Sequence, residues 1–159
     1  MVTVTSEPDP RSPFWLAVAS QSAEQTRELG RRLGAGLRAG DCLALTGGLG
    51  SGKTTLSQGI VAGAGSLDIV RSPTFLLHSV HPGRITVHHL DLYRLPEGYD
   101  LAQLGLEELI EDGAALVEWA ERTTPDWFNG HIHIEVREGT TRALELRLPE
   151  HLRFLPDDV

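Results

Sequence analysis

The sequence predicts an α/β fold with parallel central strands, flanking helices and an antiparallel hairpin near its C-terminal end. Apolar runs of strand length, at 42–46 and 114–119, alternate with segments of helical spacing. A glycine-rich segment joins the first of these runs to a helical segment. Strict alternation at 131–136 and 142–148, around a turn containing Gly139, is typical of a hairpin with one buried face.

The N-terminal part begins with a polar, proline-containing stretch at 1–12, for which we expect a flexible tail. Residues 14–19 read as the first strand. Ser22 is a suitable cap for the following helix, and Gln25 completes a capping box. Gly40 is expected to end that helix. Its apolar stripe consists of Leu29, Leu33 and Leu37.

After the glycine-rich segment and its helix, which is expected to end at 63–65, the chain continues with further strands. Strands are predicted at 75–80 and 85–91, and a helical segment with an acidic exposed side at 100–112. Gly113 ends that segment. The chain length suits one domain with a sizeable core, so residues 1–159 are treated as one unit.

The glycine-rich segment matches the phosphate-binding loop pattern G-x-x-x-x-G-K-[ST] and follows a strand, as that motif requires. Glycines let the backbone turn its N–H groups inward, and the helix N-terminus adds a partial positive charge. Lys53, the only lysine in the sequence, is placed to reach the β- and γ-phosphates, and the Thr54 hydroxyl to bind Mg²⁺. ATP and Mg²⁺ are therefore the expected cofactors. The predicted nucleotide-binding residues here are Gly47, Gly48, Leu49, Gly50, Ser51, Gly52, Lys53, Thr54 and Thr55.

Two carboxylates follow apolar strands and are candidates for the second half of a nucleotide site. The carboxyl ends of parallel strands meet beside the loop, so Asp91 and Glu118 are expected there. Glu118 follows the cleaner buried strand and is assigned to Mg²⁺ or its bound water, and Asp91 to water positioning; the roles could be exchanged. Thr74, beside Pro73, either senses the γ-phosphate or belongs to a capped turn; the spacing favours neither.

Composition and residue spacing limit the expected partners, cellular location and metal sites. The net charge of −8 argues against a large nucleic-acid surface, so DNA is not an expected partner and any RNA is expected to be held by another subunit. The single cysteine, Cys42, forms no internal disulfide, which together with the lack of a membrane-length apolar run favours a cytoplasmic protein. The histidines at 88, 89, 131 and 133 lack zinc-site spacing, with the latter two on the exposed face of the hairpin.

Several other classes of nucleotide-binding protein are disfavoured because their sequence motifs are absent. Neither N-K-x-D nor D-x-x-G occurs, which argues against a GTPase, and the transporter signature L-S-G-G-Q is absent. No arginine-rich insertion is long enough for a kinase lid. Trp119 and Trp127 are interpreted as core or interface residues rather than base-stacking platforms.

Further blocks accompany the loop and carry a resemblance to a known family. They are S-P-T-F at 72–75, H-L-D-L-Y-R at 89–94 and V-E-W at 117–119, with T-R-E-L-G at 26–30 preceding the loop. In this order they resemble the TsaE (YjeE) family of bacterial P-loop ATPases, across most of the chain. The fold class implied is the P-loop NTPase-like sheet.

The resemblance implies a role in threonylcarbamoyladenosine (t6A) modification of tRNAs that read codons starting with A. It implies weak Mg-ATP hydrolysis in a complex with TsaD–TsaB, with tRNA contacted only through those partners and no transfer of the threonylcarbamoyl group by this chain. By motif, Glu118 is implied on the Mg²⁺ side, Asp91 is implied to be needed for hydrolysis, Thr26 approaches the adenine, and Arg142 lies near the nucleotide.

One position departs from the family pattern, which commonly has an acidic residue where this chain has Gly48. The fixed loop positions are intact, so nucleotide binding is still expected. Two further hypotheses remain from the residues alone. The chain could be a stand-alone small-molecule phosphotransferase, or a nucleotide-dependent binding module without useful hydrolysis.

Overall fold

The computed structural model describes residues 13–70, 78–123 and 125–154. The predicted tail at 1–12, Thr74 and the beginning of the strand predicted at 75–80 lie outside these ranges. The strands are β1 (Phe14–Ser20), β2 (Cys42–Thr46), β3 (His78–His81), β4 (Thr86–Asp91), β5 (Gly113–Glu118), β6 (Gly130–Val136) and β7 (Arg142–Leu148). The α-helices are α1 (Ala23–Gly36), α2 (Lys53–Gly63) and α3 (Leu106–Leu109). Short 3₁₀ turns occur at Leu101–Leu104, Ala120–Arg122, Pro125–Trp127 and Glu150–Leu152.

The described strands form one sheet in the order β1-β7-β6-β2-β5-β4-β3. The four central strands, β6, β2, β5 and β4, run parallel to one another. Antiparallel strands flank them on both sides, β3 on β4 and the β6–β7 hairpin with β1. The predicted fold class is confirmed, and the N-terminal strand completes the hairpin edge by pairing with β7.

Both faces of the sheet are covered. On one face α1 and α2 contribute buried leucines such as Leu33 and Leu56 to a cluster with Leu116 of β5. On the other, the chain between β4 and β5 contributes Leu101, which packs with Leu90. Central parallel strands buried on both faces read as continuous apolar runs, which is why β2 and β5 could be recognised in the sequence.

Helices α1 and α2 approach each other so closely that side chains would not fit between them. A Cβ atom on Gly34 of α1 would lie 2.0 Å from the Ile60 carbonyl oxygen, and one on Gly59 of α2 would lie 2.1 Å from the Arg27 carbonyl oxygen. Such backbone contact requires glycine. It fixes the position of α2, and hence of the loop that leads into its first turn.

Two predicted helix boundaries are wrong. Helix α1 ends at Gly36 rather than Gly40, because Leu37 adopts an extended conformation while its side chain remains in the core. The segment predicted as one helix at 100–112 is a 3₁₀ turn followed by the short α3, because Gly105 between them has φ 71° and interrupts the helix. The Ser22 cap is confirmed: its side chain accepts from the Gln25 N–H at 3.1 Å.

Two further features are the character of the helices and the state of the cysteine. In the ranges that the structure describes, no helix combines the length and apolar character needed to cross a membrane. Cys42 is a buried free thiol, and burial raises its pKa to about 12, so it is held as an unreactive side chain of the core.

Candidate functional site

The glycine-rich loop between β2 and α2 has the backbone that its sequence predicts. Gly47, Gly50 and Gly52 have φ values of 143°, 72° and 110°, which side chains rarely tolerate. At Gly47 the requirement is also steric, since a Cβ atom would lie 2.3 Å from the Ile134 carbonyl oxygen of β6. Gly48 has open space around it and no such constraint, so the departure from the family pattern leaves the loop's backbone intact.

The loop ends at a helix N-terminus whose donors are available to an anion. Gly52 is the N-cap of α2 and has no side-chain hydrogen bond. The first amides of a helix have no intrahelical acceptor, and together with the helix dipole they favour a bound phosphate. The Ser51 hydroxyl beside them is buried without a hydrogen-bond partner among the described residues. A buried donor with no acceptor fits an anion bound in this loop.

Lys53, at the start of α2, lies across the loop. Only 6% of the residue is exposed. Its ammonium donates to the carbonyl oxygens of Gly47 and Gly48, the second at 3.3 Å, and lies 4.2 Å from the centroid of the Trp119 ring. Burial lowers the pKa of Lys53, while the negative charges of Glu118, Glu121 and Asp91 oppose that shift. Nearby carboxylates therefore help to keep a cation beside the loop.

Arg142, the first residue of β7, attaches the hairpin to the loop. Its Nε donates to the Ser51 carbonyl oxygen at 2.8 Å, and Nη2 donates to the Gly50 carbonyl oxygen at 3.5 Å. Its Nη1 donates to carbonyl oxygens of Gly139 and Thr141 in the hairpin turn. The guanidinium fork, which is planar and carries five N–H donors, can bridge two segments in this way. Arg142 is thus brought to the predicted nucleotide site.

Glu118 ends β5 beside the loop. It is 2% exposed, and its Oε2 accepts a hydrogen bond from Nε2 of His89 at 2.6 Å. Immediately after it, Trp119 has φ 58°, the only positive φ of a non-glycine residue in the described part of the chain. Strained backbone of this kind is concentrated at functional sites. Here it turns the indole towards Lys53, directly after the carboxylate.

Asp91 ends β4 and is the register partner of Glu118 on β5, so the two predicted carboxylates lie at adjacent strand ends. It is half-buried and accepts from the Tyr93 N–H at 2.9 Å. Burial raises the pKa of Asp91, and the nearby Glu118 charge adds to the rise, against the Tyr93 hydrogen bond and the charge of Lys53. Asp91 is not among the described residues that line the cleft.

A cleft of about 290 Å³ opens between these groups. Its lining consists of Gly48, Leu49, Gly50, Ser51, Gly52, Lys53, Thr54, Thr55, Glu118, Trp119 and Arg142. The structure therefore brings together the loop, one of the two predicted carboxylates and the predicted arginine from three separate parts of the chain. Gly47 supports the loop from below, where it approaches β6.

Besides Asp91, Thr26 is a predicted residue that the structure does not bring into the cleft. Thr26 is 2% exposed, its hydroxyl is hydrogen-bonded with that of Ser20 at 2.7 Å, and it does not line the cleft as described. Its predicted approach to adenine stays a prediction. Thr74 lies outside the described residues, so its role stays a prediction.

The donor set of the cleft fits a Mg²⁺-nucleotide. Loop amides, Lys53 and Arg142 suit phosphate oxygens, while the Thr54 hydroxyl and Glu118 carboxylate are hard oxygen ligands. Mg²⁺ in such sites takes one or two protein oxygens and completes its shell with phosphate and water. The described residues contain no group of three or more His, Cys, Asp or Glu that could hold a metal ion.

Sequence reasoning missed two residues of this region. Trp119 packs against the core, as interpreted from the sequence, and it also lines the cleft beside Lys53. Its place directly after Glu118 was the available signal for this second role. His89 was rejected as a metal ligand because its spacing does not fit a zinc site, and its hydrogen bond to Glu118 was not predicted. His131 and His133 lie on the more exposed face of β6, as predicted, and alternate there with buried isoleucines. His133 also bonds to Thr46 and Glu135.

Comparisons with known proteins agree on one family. A family model described as threonylcarbamoyl adenosine biosynthesis protein TsaE matches residues 20–145. A Streptomyces coelicolor protein described as tRNA threonylcarbamoyladenosine biosynthesis protein TsaE is 46% identical over 137 residues, covering 84% of each chain. A Treponema pallidum protein with the same description is 36% identical over 108 residues, covering 67% of this chain and 80% of the relative.

Among solved structures, the crystal structure of Bacillus subtilis YdiB matches with a TM-score of 0.70 and 28% sequence identity. The match covers 86% of each chain. It supports the mixed sheet with parallel central strands and flanking helices.

Proposed function

Because this chain belongs to the TsaE family of threonylcarbamoyl adenosine biosynthesis proteins, we propose that it binds and hydrolyses Mg-ATP. In this proposal it acts with TsaD–TsaB in t6A modification of tRNAs that read codons starting with A. It does not itself transfer the threonylcarbamoyl group. With a net charge of −8, it contacts tRNA only through those partners.

One observation carries the proposal: Glu118, Lys53 and the helix N-terminus of α2 line the same cleft. In the proposed roles, Lys53 and the loop amides bind phosphates, and Thr54 and Glu118 hold the cation. Mg²⁺, when bound, neutralises charge that develops on the phosphates during transfer. The residues of the chain contribute by positioning: Arg142 keeps the loop against the hairpin, and the glycines aim its amides.

Asp91 is proposed to orient the attacking water or to support the cation site, and the two carboxylates could exchange roles. It lies beside Glu118 on the neighbouring strand, with its pKa raised by burial. A carboxylate with a raised pKa in such a position is a candidate for handling a proton. The place of Thr26 near adenine rests on the family resemblance. The role of Thr74 as a γ-phosphate sensor, with a capped turn as its alternative, rests on the sequence.

The test is ATP hydrolysis by the purified chain, alone and with TsaD–TsaB, for the wild type and Glu118→Ala. We expect slow hydrolysis alone, stimulation by the partners, and loss of about 100-fold or more in Glu118→Ala. Glu145→Ala is the matched control, because Glu145 is an exposed carboxylate on β7.

Three outcomes would contradict the proposal. No stimulation by the partners would remove the partner-dependent role. Robust turnover with a small-molecule acceptor in the absence of partners would favour a stand-alone phosphotransferase instead. Equal activity of Glu118→Ala and Glu145→Ala would remove Glu118 from the cation site.

A further inference from the structure

Two histidine pairs connect the edge strand β3 to β4, one on each face of the sheet. The register pairs Ser79 with His89, and side chains alternate between faces along each strand. As a result, His78 meets His88 on one face, and His81 meets His89 on the other. The second pair lies on the face that carries Glu118.

The two pairs differ in their separation. The rings of His78 and His88 have centroids 5.1 Å apart, and their Nε2 and Nδ1 atoms form a direct hydrogen bond of 3.0 Å. The rings of His81 and His89 have centroids 6.2 Å apart. In this wider pair His81 Nε2 and His89 Nδ1 are both buried, and neither has a hydrogen-bond partner among the described residues.

The other nitrogen of each ring in the wider pair bonds to a carboxylate. His81 Nδ1 lies 3.1 Å from Oδ2 of Asp68, and His89 Nε2 lies 2.6 Å from Oε2 of Glu118. An ionised carboxylate only accepts hydrogen bonds, so these two nitrogens carry the protons. When each ring carries this one proton, the remaining nitrogens are both acceptors and cannot bond to each other.

We propose that a water molecule is bound between His81 and His89 and donates one hydrogen bond to each ring. A water molecule has two donors, which matches two buried acceptors that form no hydrogen bond with each other. The resulting chain runs from the half-exposed Asp68 through His81, the water and His89 to Glu118. It makes His89 and His81 positioning residues for the Glu118 carboxylate.

The arrangement has a mechanical consequence. A carboxylate at the end of a strand can rotate, and the hydrogen bond from His89 fixes its orientation. The imidazole is itself fixed at its other nitrogen, as is general for groups that support metal ligands. The effect on Mg²⁺ binding rests on the proposed function of Glu118, whereas the water and the two tautomers do not.

The first experiment concerns the network alone. Nitrogen-15 spectra of the histidine side chains in the full chain should show a proton on Nδ1 of His81 and on Nε2 of His89. A high-resolution crystal structure should show a water oxygen about 2.8 Å from each of the other two nitrogens. A proton on His89 Nδ1, direct contact between the rings, or a gap without water would overturn the proposal.

The second experiment measures binding of a non-hydrolysable ATP analogue with and without Mg²⁺. For His89→Leu we expect the Mg²⁺-dependent gain in affinity to fall by about 10–100-fold, with Mg²⁺-free binding unchanged. His89→Gln should keep most of the gain, because its side-chain amide can donate to Glu118. His81→Leu should lose roughly fivefold, since it acts through the water.

His88→Leu is the matched control, since His88 is also a buried histidine of β4 but bonds to His78 on the opposite face. It should leave the Mg²⁺ dependence unchanged. Wild-type Mg²⁺ dependence in His89→Leu, or equal losses with and without Mg²⁺, would overturn the positioning role. If the wild type shows no Mg²⁺-dependent binding at all, the proposed function fails, and the spectra and crystal structure still decide on the water and the tautomers.

Discussion

Two buried carboxylate–histidine pairs lie at opposite ends of the central strands. Glu118 with His89 is at the carboxyl end of β5, beside the loop. Asp41 with His151 is at the amino end of β2, where His151 Nε2 lies 2.8 Å from Asp41 Oδ2. Glu118 and Asp41 are each 2% exposed. The same chemical pair is therefore available at both ends of the sheet, and its surroundings decide what it does.

The surroundings differ in how fully the carboxylate is hydrogen-bonded. Asp41 also accepts from the Arg38 N–H and from Nδ2 of Asn129, each at 2.8 Å. In the described part of the chain, His89 is the donor that the structure shows to Glu118. A carboxylate with several donors holds segments together, as Asp41 does for the turn before β2 and the C-terminal 3₁₀ turn. One with a single donor, facing a cleft, keeps acceptor capacity for a ligand.

The largest expected effect is a loss of ATP hydrolysis in Glu118→Gln, the substitution at the carboxylate that faces the cleft. The change removes the charge proposed to face Mg²⁺ while the amide oxygen can still accept from His89. We expect hydrolysis in the presence of partners to fall by about 10²–10³-fold, and the Tm to stay unchanged or rise, because a buried charge disappears. Hydrolysis assays and thermal unfolding check both. A large fall in Tm with hydrolysis retained would reverse the roles of the two pairs.

The opposite pattern is expected for Asp41→Ala. Three donors lose their acceptor in a buried site, so the free energy of unfolding should fall by about 3–5 kcal/mol. For a chain of this size that lowers the Tm by roughly 10 °C. Nucleotide binding by the folded fraction should not change.

Asp112→Ala is the control for Asp41→Ala, because Asp112 is exposed and directly precedes β5, the strand beside β2. It should change the free energy of unfolding by less than about 0.5 kcal/mol. If both substitutions have the same effect on stability, the hydrogen bonds around Asp41 do not carry the role assigned to them.

Much of the sheet, including the carboxyl ends of β4 and β5 beside the cleft, could be predicted from the sequence. The bounds of β2 and β7 are as predicted, because a continuous apolar run and strict alternation are each unambiguous over several residues. Placing Glu118 and Asp91 at adjacent strand ends needed only the rule that parallel strands end at the same edge. Local pattern and general topology were sufficient in these cases.

What could not be predicted depends on contacts between distant segments. The bond between His89 and Glu118 joins residues 29 positions apart and requires the register of β4 and β5. The hydrogen bonds of Asp41 require the C-terminal turn to fold back beneath β2. Leu37 looks like part of the α1 stripe in sequence, although it enters the same core from an extended backbone. Periodicity alone does not distinguish these arrangements.

The smallest expected effect concerns Asp91, at the carboxyl end of β4 beside Glu118. Its negative charge destabilises the folded state, and this distinguishes it from the carboxylate of Asp41. Burial raises its pKa above the ordinary value of 3.8, so the folded chain binds this proton more tightly than the unfolded chain does. The stabilising contribution is therefore fully present below about pH 4 and is lost as the pH rises through the folded-state pKa. Asp91→Asn removes the ionisation and keeps an oxygen that can accept from the Tyr93 N–H. We expect a rise in Tm of a few degrees at most near neutral pH.

The pH dependence of that Tm difference is the decisive measurement. Between about pH 8 and pH 4, the Tm advantage of Asp91→Asn over the wild type should shrink, because protonation makes the wild-type side chain neutral as well. Asp112→Asn, at an exposed site, should show no such trend. A variant that is less stable than the wild type at neutral pH, or a difference that grows as the pH falls, would mean that the folded chain favours the charged form of Asp91. Asp91 would then stabilise the fold in its charged form, as Asp41 does, rather than resemble Glu118 beside the cleft.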